Sequence, residues 1–473
     1  MIISQKTVQS RLVVIAGVVV TLYSLLLTLA PVIRLQSWKV DLNWIHWLGW
    51  IIWIATVFAI HKFSFKFLTE HDPFLLPIAM LLTGIGLLTI YRLFPEFGIR
   101  QSIWLIFAFL IFIVIIQLPN DLSYLRKYKY LWLTAGLIIT GLTLILGTNP
   151  SGSAGPRLWL GCCGFYFQPA EPLKFLLILY LAAYLSDKVI FHTDHKKNSI
   201  FKSPLLPLIA PTLLMTGLAL SILVIQRDLG TAAIFLVLFS AIAFIATNEK
   251  KIILISLISL LVAGLLGFFL FDVVQIRLLA WIDPWRDPTG GSYQIIQALI
   301  ALARGEFMGR GPGLGNPGLV PVPHSDFIFS SIVEETGLIG AISILLALAL
   351  FTGRGFLIAI NAPGVFRRLL AVGLTVFLVG QSILIIGGNI RLFPLTGVTL
   401  PFVSYGGSSL IVSFLCLGLL LVISNSGQQK PSPLTNPRSY LLVAGFLLTG
   451  LLITGLLISW WSIIQRDALF YNF

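Results

Sequence analysis

Runs of about twenty apolar residues recur along this chain, separated by short polar breaks. No other feature restricts the fold as much. An α-helix rises 1.5 Å per residue, so each run can cross a hydrocarbon core of roughly 30 Å, where unpaired backbone groups find no partners. The runs fall near 12–33, 44–63, 72–94, 101–119, 130–147, 169–187, 204–225, 230–247, 252–273, 326–353, 366–388, 402–424 and 439–461. With 57% hydrophobic and only 10% charged residues among 473, a soluble domain is excluded. The fold class is an all-α polytopic membrane protein of about thirteen spans. The first run is longer than a signal-peptide core and ends in "LAPVIRLQ" without a small-x-small cleavage site, which reads as a retained anchor. Neither an internal repeat nor the inverted-repeat signature of many transporters is visible.

The net charge of +13 would suit nucleic acid, but the Lys and Arg residues sit in short clusters between apolar runs, as membrane topology requires. Nucleic-acid binding is therefore discounted. Eighteen of them fall in one alternating set of connections, beginning with the N-terminus, and twelve in the other. The positive-inside rule places the N-terminus in the cytoplasm, and an odd number of spans places the C-terminus outside. Cys162, Cys163 and Cys416 have no metal-ligand spacing and read as small apolar fillers.

On that topology the long connection 274–325 lies outside. Its segment "WIDPWRDPTGGSYQ" (281–294) carries two aspartates, each before a proline, which disfavours the helical region for the aspartate and fixes the following φ. Asp283 and Asp287 therefore read as Asx-turn or capping residues on stiff turns. The run "SYQIIQALIALARG" reads as an amphipathic helix at the membrane surface, with Ser292 as its cap. Further polar groups gather on the same face: Arg157, Gln168, Glu171 and Lys174; Arg227 and Asp228; His324, Asp326, Glu334 and Glu335; Asn389, Arg391, Ser404 and Tyr405. Each alone reads as an internal ion pair or cap, such as Glu171 with Lys174 one turn on. Burying so many ionisable groups costs around 3 kcal/mol each at a helix centre, so the cluster as a whole reads as functional.

The motifs "QPAEPLK", "DLGTA", "DPWRDPTGGSYQ", "HSDFIFSSIVEETGLIG" and "PLTGVTLPFVSYGGSS", in this order, resemble the SEDS family (shape, elongation, division and sporulation), the FtsW/RodA-type peptidoglycan polymerases. The resemblance covers residues 72–424, about three quarters of the chain. It implies a ten-span core, here with two extra transmembrane helices before it (1–71) and a linker with one more after it (425–473).

The resemblance further implies polymerisation of lipid II, a disaccharide-pentapeptide on undecaprenyl diphosphate, at the outer face of the bacterial cytoplasmic membrane. That chemistry needs a base for the acceptor hydroxyl and cations for the departing diphosphate, and no second carboxyl, because diphosphate leaves without protonation. By the family pattern Asp287 is the base and Asp283 is structural. Arg157 and Lys174 grip phosphate, while Asp326 and Glu334 position substrate or a divalent cation, Mg²⁺ or Mn²⁺. Gln168, Glu171, Asp228, His324, Arg391 and Ser404 complete the expected substrate site, and a single-span class B penicillin-binding protein is the implied partner. The chain departs from the pattern at Val322 and Pro323, where an acid and a small residue are usual, and at Ser325 in place of threonine. Arg227 replaces a common proline, and Arg391 is added in a shortened "GNIRLFP". A lipid-linked precursor flippase and a non-catalytic scaffold of the cell-wall machinery remain the alternative readings.

Overall fold

The computed structural model describes residues 5–149, 157–162, 164–195 and 205–426. Helices account for nearly all of it: α1 (Gln5–Leu35), α2 (His46–Phe67), α3 (Leu75–Leu93), α4 (Pro95–Ile116), α5 (Ser123–Lys127), α6 (Lys129–Leu146), α7 (Ala170–His195), α8 (Leu205–Ile225), α9 (Leu229–Thr247), α10 (Lys250–Leu270), α11 (Asp272–Ile282), α12 (Tyr293–Gly305), α13 (Ile328–Asn361), α14 (Val365–Asn389) and α15 (Gly407–Ser426). Among the described residues ten helices are long and apolar enough to cross a membrane. The chain is a multi-pass membrane protein. The expected span 439–461 lies outside the described residues.

Side-chain bonds sort the connections into two faces. On one, Asp72 pairs with Arg354, the Glu70 N–H donates to Asn425 and Arg367 donates to the Asn120 carbonyl. On the other, Arg34 reaches Asn316, and Arg92 reaches the carbonyls of Gly313 and Gly315. The alternation read from charge clusters is thus present in the packing, and 281–294 lies on the face opposite Asp72.

Almost all of α3 is buried, as is α15, whereas α10 presents most of its side chains outward. Close approach at the centre depends on missing side chains: a Cβ on Gly86 would stand 2.3 Å from the Val403 carbonyl, and one on Gly84 2.7 Å from Val20 and 2.9 Å from Trp53. The latter contact seats α1 and α2 against α3, reinforced by a hydrogen bond from Trp53 Nε1 to the Met80 carbonyl (3.0 Å).

Three local features depart from the sequence reading. A two-stranded antiparallel hairpin, β1 (Leu160–Cys162) and β2 (Phe165–Phe167), stands among the helices. It leaves Cys162 exposed, while Cys416 is buried as expected and Cys163 lies outside the described residues. Helix α12 forms where expected, but Ser292 makes no side-chain cap, and the face with Ile295, Ala298 and Ala301 is buried on packing against α13. Helix α13 is broken at Gly337 (φ +66°), a backbone conformation that favours glycine. The segment 305–316 docks onto this break: the N–H groups of Arg310 and Gly311 donate to the carbonyls of Glu334 and Glu335, and those of Leu338 and Ile339 donate to Glu306 and Phe307. The orphan groups that a helix break creates are thereby satisfied.

Candidate functional site

The connection between α14 and α15, residues 390–406, is the hub of the loop face. The N-terminal end of α7 meets its far end through the Gln168 N–H, which donates to Ser408 Oγ at 2.8 Å. The start of α9 abuts it at Gly230, whose Cβ would lie 2.3 Å from the Thr396 carbonyl. There Asp228 caps α9 by accepting the Thr231 N–H (3.1 Å), satisfying one of the free amides of a helix start. From α11, Arg277 donates to the Thr396 carbonyl (3.3 Å).

Asp326 faces the same hub. A Cβ on Gly397 would stand 3.5 Å from Arg277 Nη2 and 3.8 Å from Asp326 Oδ2, so this glycine (φ +71°) leaves open a gap between a guanidinium and a carboxylate. Burial raises the Asp326 carboxyl above its ordinary range, opposed by the Ser325 hydroxyl, which donates to Oδ1 at 2.7 Å, and by Arg277. Its backbone is fixed as well. Asn389 donates to the Asp326 carbonyl (2.8 Å) and accepts from Ser330, while Ser404 donates to the Ser325 carbonyl (2.9 Å) and accepts the Leu400 N–H (2.8 Å).

Two residues before Asp326, His324 stacks on Phe97 (4.4 Å between centroids) and meets Phe94 and Tyr405 edge-on, and its carbonyl accepts the Tyr405 N–H. Burial lowers the imidazole pKa to about 4, so it is neutral at pH 7. The unfolded chain then binds a proton near pH 6.5 that the folded chain refuses. Stability contributed by this burial is intact above pH 6.5 and lost as pH falls towards 4. The thermal unfolding midpoint of the detergent-solubilised protein is expected to drop across that window, and His324→Phe, which keeps the ring stack, to flatten the drop. Asp326 has the opposite sign, so an unchanged slope in His324→Phe would reject His324 as its source.

Asp287 stands at the rim. Its side chain is exposed, Oδ1 accepting the Gly290 N–H at 3.1 Å and Oδ2 the Gly291 N–H at 2.8 Å. Asp283 accepts the Trp285 N–H (3.2 Å), so both aspartates form the turns that their Asp-Pro context predicts. Arg391, in the left-handed region at φ +60°, donates through Nε and Nη2 to the carbonyls of Trp281 and Ile282 at 2.8 and 2.7 Å. Its cation therefore satisfies the carbonyl end of α11 and moors the aspartate turn to the hub.

The remaining expected residues lie elsewhere. Lys174 is fully buried one turn into α7, donates to Glu171 at 2.6 Å and lies 5.4 Å over the Phe377 ring. Arg157 is exposed at the entry to the hairpin. Glu334 accepts the Asn316 N–H (3.1 Å) at the broken helix, beside Glu335, which accepts the Gly313 N–H (3.0 Å) and faces Arg92 at 3.5 Å. Among the described residues no ion pair or hydrogen bond joins Asp287 to Arg157 or Lys174. None of them forms a group of three or more His, Cys, Asp or Glu side chains able to hold a metal. Sequence reasoning missed Arg277, Arg92 and Arg100, the last beneath Tyr405 and 5.7 Å from the Phe97 ring. The signal available for them was a lone arginine in or beside an apolar run, which is costly unless paired.

Residues 72–429 match the family model described as "Cell cycle protein", FtsW/RodA/SpoVE. Among curated relatives, the peptidoglycan glycosyltransferase RodA of Mycobacterium tuberculosis is 33% identical over 79% of this chain and 82% of its own. Stage V sporulation protein E of Bacillus subtilis is 32% identical over 75% and 97%. Among solved structures, a chain from a peptidoglycan synthase complex that coordinates polymerisation and crosslinking superposes with TM-score 0.62 at 27% identity, covering 76% of this chain and 99% of that one. The RodA of Thermus thermophilus superposes with TM-score 0.55 at 25% identity, over 76% and 98%.

Proposed function

Because the chain belongs to the FtsW/RodA/SpoVE family, and is a peptidoglycan glycosyltransferase by that membership, we propose that it polymerises lipid II at the outer face of the bacterial cytoplasmic membrane, with Asp287 as the base. The Asp287 carboxylate takes the proton of the acceptor sugar hydroxyl. The freed oxygen attacks the anomeric carbon of the donor, and the bond to undecaprenyl diphosphate breaks with its electron pair leaving on the phosphate oxygen. The observation that carries this reading is the placement of Asp287: an exposed carboxylate, oriented by two backbone amides, on a turn moored to the polar hub by Arg391.

Cations that stabilise the developing diphosphate charge come from the exposed Arg157 and from Arg277 beside the gap at Gly397. Lys174 contributes at longer range, its charge already balanced by Glu171. Gln168, Asp228 and Ser404 act by holding the helix ends and the 400–405 turn that frame the site. His324 and Asp326 fix the entry to α13, and Glu334 holds the 305–316 segment at its break. A class B penicillin-binding protein crosslinks the product, in keeping with the synthase complex among the structural neighbours.

The test is purified full-length protein supplied with fluorescent lipid II in liposomes. Glycan ladders are expected. Transbilayer movement of lipid II without ladders would replace polymerase by flippase, and neither activity would leave a scaffold.

A further inference from the structure

Helices α1 and α2 flank an outward-open groove of about 590 Å³ lined by Val14, Val18, Ile54 and Phe58, with Ser10 and His61 at one end and Thr21 at the other. Its volume falls in the range of small-molecule sites, roughly 300–1,000 Å³. From Ser10 to Thr21 it runs about 16 Å at 1.5 Å per residue, close to the roughly 15 Å of one leaflet's hydrocarbon. Beyond Thr21 the two helices are zipped shut: Trp50 Nε1 donates to Thr21 Oγ1 (3.0 Å), Trp47 Nε1 to Thr28 Oγ1 (2.9 Å), and His46 bonds the Ser24 carbonyl (2.9 Å). A transmembrane helix would need a groove about twice as long; an acyl chain needs no more than this one.

The end marked by Ser10 and His61 is basic. Arg11 precedes Val14 and Val18 by three and seven residues and Lys62 follows Phe58 by four, so both share the cleft face of their helices. Lys6 reaches across from α1 to lie 5.9 Å over the Phe65 ring of α2. Neither helix contains an Asp or Glu. Among the described residues none of Lys6, Arg11, Lys62 and Lys66 belongs to an ion pair. Ser10 and His61, bonded to each other at 3.1 Å, tie the two helices at the boundary between charge and cleft, the Ser10 hydroxyl donating to the Lys6 carbonyl and the second His61 ring nitrogen meeting Gln9. This end lies on the face that charge counting assigns to the cytoplasm, where anionic lipid headgroups meet basic pockets between helices.

We propose that this cleft is a binding site for one anionic phospholipid, its acyl chain lying between α1 and α2 and its phosphate held by Arg11 and Lys62. The full-length protein is delipidated in detergent and offered phosphatidylglycerol or phosphatidylcholine of matched chains, and bound lipid is counted by native mass spectrometry. One phosphatidylglycerol per chain is expected, retained about tenfold or more over phosphatidylcholine, as two basic contacts would give.

Arg11→Gln/Lys62→Gln, which alters exposed side chains only, is expected to abolish that preference. Gly17→Leu is expected to remove both lipids: only Ile54 Cδ1, at 3.9 Å, lies within 4 Å of a Cβ there, so the added side chain grows into the cleft. Equal retention of the two lipids by the wild type, or an undiminished preference in the charge variant, overturns the proposal even if Gly17→Leu fails to fold. Displacement by millimolar inorganic phosphate would assign the site to the free anion. A doubled mass that Gly17→Leu reverts to that of a single chain would assign the cleft to a second copy. Either result overturns it.

Discussion

Asp287→Asn is expected to lower the rate of glycan-strand formation from lipid II by about 10²- to 10⁴-fold, the usual contribution of a positioned general base, with little change in stability. The side chain is exposed, and surface substitutions of this kind usually stay within about 0.5 kcal/mol. Asparagine retains an acceptor for the Gly290 N–H and loses one hydrogen bond, to Gly291, so the turn persists while the base is gone. Gly290→Ala provides the complementary experiment. Its Cβ would stand 2.3 Å from Asp287 Oδ2, and Gly290 is not among the glycines with positive φ, so alanine fits the backbone and displaces the carboxylate without changing its charge. A misplacement of about 1 Å costs on the order of 10²-fold in rate. Asp283→Asn, one turn earlier, is expected to change ladder formation little, because Asp283 only accepts the Trp285 N–H. Ladders of wild-type intensity from Asp287→Asn would sink the assignment, whatever Gly290→Ala does.

What the sequence made legible, and what it did not, follows the range of the interactions. Membrane spans were readable because a twenty-residue apolar run is a local property, and the helices α9 and α14 lie within a residue or two of the runs at 230–247 and 366–388. Local pairings were readable too: the Asx turns of Asp283 and Asp287 and the Glu171–Lys174 bond span four residues or fewer. The break at Gly337 was hidden because an apolar run continues through it, and because its partners, Glu306 and Phe307, come from about thirty residues upstream. Arg391 was expected in the substrate site. Its cap on α11 joins positions 110 residues apart, which no spacing rule encodes. Arg277, Arg92 and Arg100 were counted only as charges outside the membrane, because their partners, the Thr396 carbonyl, Glu335 and Tyr405, become neighbours only when the bundle closes.

On the opposite face, Asp72→Ala is expected to cost about 3–5 kcal/mol of stability, as removal of one partner from a buried ion pair does. Asp72 is fully buried, and its carboxylate does two jobs. Oδ1 accepts the N–H groups of Phe74 and Leu75 at 2.9 and 3.2 Å and so caps α3, while Oδ2 accepts both Nε and Nη2 of Arg354 from α13. The guanidinium lies 4.6 Å over the Phe74 ring, and the Asp72 N–H is bonded to Ser424 near the end of α15 (3.0 Å). Three helices that frame the loop-face site at their other ends are thus tied at one buried residue, α3 and α13 by its carboxylate and α15 by its backbone N–H. Alanine leaves the Arg354 cation buried without a counter-charge, and that uncompensated charge dominates the cost. Arg354→Met, alone or with Asp72→Asn, removes the stranded cation, and the double variant is expected to recover most of the lost stability, since a well-packed apolar replacement of a buried pair is often neutral. Thermal unfolding in detergent of the wild type, Asp72→Asn, Arg354→Met and the double variant closes the cycle. A coupling energy near zero would show that the two side chains act independently and that α3 depends on the cap alone.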